Sequence, residues 1–182
     1  MSTSLPEFIQ KKLGFPPLRR VDPVDHAVKA ESEPAAREKL GQAAIPATLA
    51  ALYRFAKTGK GSRAVLANDS EGRKWLEVIM SWDDGSAVDK VTRYAGVSDA
   101  EAAAIMEIIA VEAVFAIRDS VAHNPGADAV QRYMGDQRQA ILVYLPAEVQ
   151  LEHLLADHPG DEYAQPARLA QSLESRFFSV RV

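Results

Sequence analysis

An all-α fold, an orthogonal helical bundle around one long buried helix, is what this sequence predicts, and three observations carry the prediction. Apolar residues recur every three to four positions through most of the chain. Capping residues and prolines fall where helices start, as in Ser4-Leu5-Pro6-Glu7. The stretch Lys90-Val91-Thr92-Arg93-Tyr94-Ala95-Gly96-Val97-Ser98 then leads without a breaker into a nearly all-apolar helix ending near Val121, with the spacing of a helix-turn-helix.

In chain order, Ser4 caps a short helix to about Leu13, which Gly14-Phe15-Pro16-Pro17 ends. Asp22-Pro23 starts a second short helix. Glu33-Pro34 opens a longer one whose apolar positions are Leu40, Ala44, Ile45, Leu49, Leu52 and Phe55 or Ala56. Pro46 is expected to kink or divide it, because proline has no N–H for the preceding turn. Gly59-Lys60-Gly61 is expected to close it. Asp69 or Ser70 then caps a helix with Trp75, Val78, Ile79 and Trp82 on one face, Asp84-Gly85 is a turn, and Ser86 caps the helix leading to Gly96. The run 140–145 suits a strand or a helix by composition, and its neighbours favour helix. Pro146-Ala147-Glu148 is a helix start, Pro159-Gly160-Asp161 a linker, and Gln165-Pro166 opens a last helix before the β-preferring tail 177–182. This organisation divides the chain into an N-terminal arm (1–33), a helical core domain (34–158) and a C-terminal helix and tail (159–182).

A faint repeat runs through the core. Shifting the chain by 65 positions places Gly61-Ser62-Arg63-Ala64-Val65 on Gly126-Ala127-Asp128-Ala129-Val130, and Leu49, Leu52 and Ala56 on Val114, Ile117 and Val121. Two pseudo-repeated helical units follow from that match.

Composition narrows the function. A net charge of −4 disfavours a sequence-independent grip on nucleic acid or an anionic membrane, although a local basic patch is compatible with it. Without cysteine there is no disulfide framework, thiolate metal site or thiol nucleophile. The first fifteen residues lack the charged and apolar pattern of a secretion signal, so a cytoplasmic location is expected. The apolar segment 102–117 falls short of the roughly 20 residues that span a bilayer and is interrupted by Glu107 and Glu112, which favours a buried helix.

Ile45-Pro46-Ala47-Thr48-Leu49-Ala50-Ala51-Leu52, the following Gly61-Ser62-Arg63-Ala64-Val65-Leu66, and Tyr94-Ala95-Gly96-Val97-Ser98 before an apolar helix resemble the YidB-like family of uncharacterised bacterial proteins. The resemblance covers roughly 34–134. It implies an all-helical fold with a homeodomain-like three-helix arrangement, and it brings no activity, cofactor or catalytic residue. The N-terminal segment and the chain after about Asp136 depart from the family pattern.

Few residues point to chemistry. The helix-turn-helix spacing suits architecture more than DNA reading: base edges are read by Arg, Lys, Asn or Gln, whereas 98–107 supplies alanine, isoleucine, methionine and carboxylates. Lys11, Lys12, Arg19 and Arg20 are expected in a separate arm. Glu112, Asp119 and His123 make a weak polar-site candidate along the long helix, read either as a metal or proton-relay stripe or as a wet face paired with Arg54, Arg93 or Arg132. A di-iron bundle pattern fails because Phe115 and Leu151 stand where histidines are needed. His26, His123, His153 and His158 have no evident catalytic partner, and Gly59-Lys60-Gly61-Ser62 lacks the spacer of a phosphate loop. The better candidates are surfaces: Trp75 and Trp82, seven apart, form either a core stripe or a partner groove, and Phe177 and Phe178 are either packed or docked on another subunit. The expectation is therefore a non-enzymatic module working through protein–protein interaction or self-association, with no cofactor or metal, and a helix-turn-helix-derived nucleic-acid module as the alternative.

Overall fold

The computed structural model describes residues 4–21, 35–83 and 85–149, and among them every regular element is helical. The order is α1 (Leu5–Lys12), α2 (Ala36–Ala56), α3 (Gly59–Ala67), α4 (Trp75–Ile79), α5 (Ser86–Ala95), α6 (Asp99–Ser120) and α7 (Ala127–Leu142), closed by a 3₁₀ turn, Ala147–Val149. The helices expected from Asp22 and from Gln165, the tail with Phe177 and Phe178, and His26, His153 and His158 lie outside the described residues.

The centre of the bundle is α2, not the 98–121 helix expected there. Leu40, Ala43, Ala44, Ile45, Ala47, Leu49, Ala50, Ala51, Leu52 and Ala56 are all buried, and α5, α6 and α7 pack around them. Small side chains explain this: alanine on successive faces lets several helices approach closely, and every face becomes core. Pro46 is buried within α2 and does not divide it. The helix starts at Ala36 and ends at Lys57, because Thr58 begins another: its Oγ1 accepts from Gly61 N at 2.9 Å. Gly59-Lys60-Gly61 is thus the first turn of α3, not a terminator. Gly61 is there for space, since a Cβ would lie 1.9 Å from the Phe55 carbonyl oxygen.

The other ends follow local chemistry with two corrections. Asn68, in the left-handed conformation, ends α3, and 69–73 form a turn, so neither Asp69 nor Ser70 caps the next helix. Ser86 is the first residue of α5. Asp83 caps instead, its Oδ2 accepting from Ala87 N (2.8 Å) and its Oδ1 from the Ser86 hydroxyl (2.7 Å). Gly96 (φ 69°) ends α5, and Ser98 caps α6, accepting from Glu101 N at 3.3 Å. The 140–145 run is helical through Leu142 and then turns.

The expected arm is built into the bundle as far as Val21. Leu5 and Ile9 of α1 are in the core against α2, α6 and α7, and Phe15 packs over Gly41. Gln42 of α2 then works as a backbone mimic: its Oε1 accepts from Arg19 N (2.7 Å), and its Nε2 donates to Arg19 O (2.9 Å) and Tyr144 O (2.7 Å). Val21 N also donates to Val143 O. The far end of α7 is tied to α1 as well, with Gln137 accepting from Leu5 N and the Tyr144 hydroxyl donating to Glu7 Oε1 (2.9 Å).

Candidate interaction face

Building from α6 outward, Ala102, Met106, Ile109, Ala110, Ala113, Val114 and Ile117 face the core. A helix of 22 residues in a layered bundle has a second side, and there Ala104, Ile108 and Phe115 are exposed, with Val111 and Glu112 half-buried between them. Ile108 and Phe115 are each 46% exposed, and with Phe8 of α1 at 41% they are the large apolar side chains most open to solvent among the described residues. Lys12 of α1 joins the two helices. Its Nζ lies 2.5 Å from Glu112 Oε2 and 5.8 Å from the centre of the Phe8 ring. Glu112 sits one turn from both Ile108 and Phe115, so the three apolar groups frame one ion pair. Glu101 stands at one end of the stripe and Asp119 at the other, both exposed.

The sequence-predicted candidates are placed differently. Trp75 is only 6% exposed, edge-on to Phe55 at 6.4 Å, and therefore part of the core. Trp82 lies beyond the end of α4, half-buried, its Nε1 donating to Ile79 O (2.8 Å) and its ring covered by the Arg54 guanidinium at 4.3 Å. The two rings do not line an open groove. Glu112 is paired with Lys12 rather than with Arg54, Arg93 or Arg132, Asp119 and His123 are exposed, and no three His, Asp or Glu side chains gather as a metal site among the described residues. Lys12 and Arg19 are structural cations: Arg19 bridges Glu38 at 2.6 Å. At the Gly96 turn, Lys90 and Arg93 are accompanied by Asp89, Asp99 and Glu101, a mixed rather than a basic surface.

Three polar roles escaped the sequence. Glu107 turns inward from α6 and caps α4 with both oxygens, Oε1 accepting from Trp75 N (3.1 Å) and Oε2 from Leu76 N (2.7 Å). The Gln42 clamp is the second. The third is the Glu7–Tyr144 pair, in which the hydrogen bond from the Tyr144 hydroxyl, helped by Ser4 N, holds the Glu7 carboxyl below its ordinary range. Burial, and then Glu7, push the Tyr144 hydroxyl upward. A cleft lined by Arg19, Val21, Glu38, Lys39, Gln42 and Tyr94 lies beside α2 and α5, and burial raises the Tyr94 hydroxyl there. For Ile108 and Phe115 a signal did exist: they are seven apart, hence on one helix face.

No helix among the described residues is long and apolar enough to cross a membrane. Comparison with protein families, with curated proteins and with solved structures finds no match for this chain.

Proposed function

We propose that this chain is a non-enzymatic cytoplasmic module that works through protein–protein interaction, and that the α6–α1 face is the surface it uses. The observation that carries this reading is the exposure of Ile108 and Phe115 on a helix whose opposite side is core, beside Phe8. Large apolar side chains clustered in one place and rimmed by charge are the pattern of an anchor site. The rim is acidic at both ends, so the matching partner is an amphipathic segment with an apolar stripe and basic flanks. The alternative of a nucleic-acid module at the Gly96 turn is less favoured, because Asp89, Asp99 and Glu101 would meet the phosphates there. The YidB-like resemblance is compatible with this reading and adds no activity to it.

A photo-crosslinking residue placed at Phe115 in living cells tests the surface, with the same residue at exposed Arg132 as the control. The expected result is a discrete adduct with another protein from position 115 alone, lost when Ile108→Asp is added. Equal adducts from both positions, or none from 115, would sink the reading.

A further inference from the structure

The α6–α1 face has a fitting occupant in the same chain: we infer that residues 166–182 seat on it in cis and compete there with the partner. This rests on the reading of the face as a docking surface and names what regulates it. Three arguments lead to it.

The first is pattern. On α6 the stripe reads Ala104, Ile108, Val111, Phe115, at steps of four, three and four. In 166–182 the apolar residues Leu169, Leu173, Phe177 and Val180 follow at steps of four, four and three. Each set spans eleven positions, and on α6 that is about 16 Å.

The second is charge. Residues 166–182 hold Arg168, Arg176 and Arg181 against one acid, Glu174, and the arginines lie toward both ends of the apolar stripe. Glu101 at one end of the stripe and Asp119 at the other therefore meet an arginine whichever way the segment runs. A second copy of α6 fits worse. Packed antiparallel it brings Glu101 to Asp119, and packed parallel it brings each acid to its own copy, so like charges meet in both directions.

Reach is the third. Val149 is fully buried in the 3₁₀ turn against α5, and α5 packs on α6, so the segment departs from the helix next to its target. The intervening residues 150–165 extend to roughly 50 Å, more than the roughly 33 Å length of α6.

The cysteine-free chain makes the test clean, since one introduced thiol is the only one present. In the full chain, Ala104→Cys places that thiol on the stripe while Ile108 and Phe115 stay in place. Its modification by a small aromatic disulfide is measured with and without Leu173→Asp and Phe177→Asp, and Arg132→Cys is the exposed control. The expected outcome is modification of Cys at 104 about tenfold slower with the native segment than with the double aspartate variant, no such difference at 132, and no dependence on protein concentration. Equal rates at 104 in both backgrounds would overturn the inference. Protection that fades on dilution would overturn the cis assignment, because the segment would then come from a second copy. Thermal melts of both backgrounds confirm that the aspartates leave the bundle folded. The photo-adduct from position 115 separates the two readings: if it forms without any protection at 104, only the tail assignment fails, and if neither occurs, the docking surface itself fails.

Discussion

α2 and α6 are nearly equal in length, at 21 and 22 residues, and a shift of 65 positions lays one over the other, yet they are buried differently. The more apolar of the two, α6, is open on one side, and the less apolar α2 is closed on all sides from Leu40 to Leu52. Where the small and large side chains fall accounts for this better than hydrophobicity, since each helix holds seven alanines. Ala43, Ala44, Ala47, Ala50 and Ala51 bring neighbours close on every face of α2, whereas α6 places Ile108 and Phe115, which no described helix covers, on its outer side. A helix can be rich in apolar residues without being enclosed on every side.

The sharpest way to break that contrast is to truncate side chains on each surface. Leu49→Ala in α2 and Ile109→Ala on the inner side of α6 should each cost about 2–5 kcal/mol of unfolding free energy in denaturant titrations. If Ile109→Ala were nearly silent, α6 would not be a core helix at all. Next comes the turn between the paired helices: Gly61→Ala forces a Cβ onto the Phe55 carbonyl and should cost about 1–3 kcal/mol, while its repeat counterpart Gly126, with open space around its Cβ position, should tolerate alanine at no more than about 0.5 kcal/mol. Equal losses at the two glycines would remove the asymmetry between the units. Glu107→Ala strips two backbone N–H groups at the start of α4 of their acceptor and should cost about 1–2 kcal/mol, more than the same change at exposed Glu101.

A smaller effect is set by pH. Glu7 has a depressed folded pKa, so its contribution is present above the ordinary carboxylate pKa and is lost as pH falls through the folded value. Tyr144→Phe removes the largest cause of that depression. The variant should gain less stability than wild type between pH 3 and pH 6, read from melting temperatures across that range; an unchanged pH profile would mean that the Tyr144 bond to Glu7 does not persist in solution. Smallest of all, in the Leu173→Asp and Phe177→Asp background, where the C-terminal segment no longer seats on α6, Ile108→Ala and Phe115→Ala on its outer side should change stability by no more than about 0.5 kcal/mol. A loss of several kcal/mol at either position would show that the stripe is covered by something integral to the fold.

Much of the helical architecture was legible because its signals are local. Ser4 before Leu5-Pro6, Ser98 before α6 and Gly96 after α5 each act within one turn, and all three stand where the spacing put them. The repeat spacing also pairs equivalently buried positions: Leu49, Leu52 and Val65 are as buried as Val114, Ile117 and Val130. What was not legible depends on partners far away in sequence. Glu107 looked like an interruption of an apolar run because the N–H groups it serves are more than thirty positions upstream, and Gln42 gave no sign that it would bind Arg19 and Tyr144. Trp75 and Trp82 share a spacing of seven, but α4 ends at Ile79, so the helix face that would have united them stops short. At Pro46 the local rule overstated its case: proline costs a hydrogen bond, and the surrounding burial holds the helix together regardless.

The Gln42 clamp has a consequence for how the chain is made. Arg19 and Gln42 leave the ribosome close together, but the Tyr144 carbonyl follows 102 residues after Gln42, and Glu7 waits 137 residues for the Tyr144 hydroxyl. At about 5–20 residues per second, the opening helix spends several seconds outside the ribosome before its last partner is even synthesised. During that interval Leu5 and Ile9 must be shielded by something other than the finished bundle, so α1, made before the other described helices, is among the last of them to be locked in place.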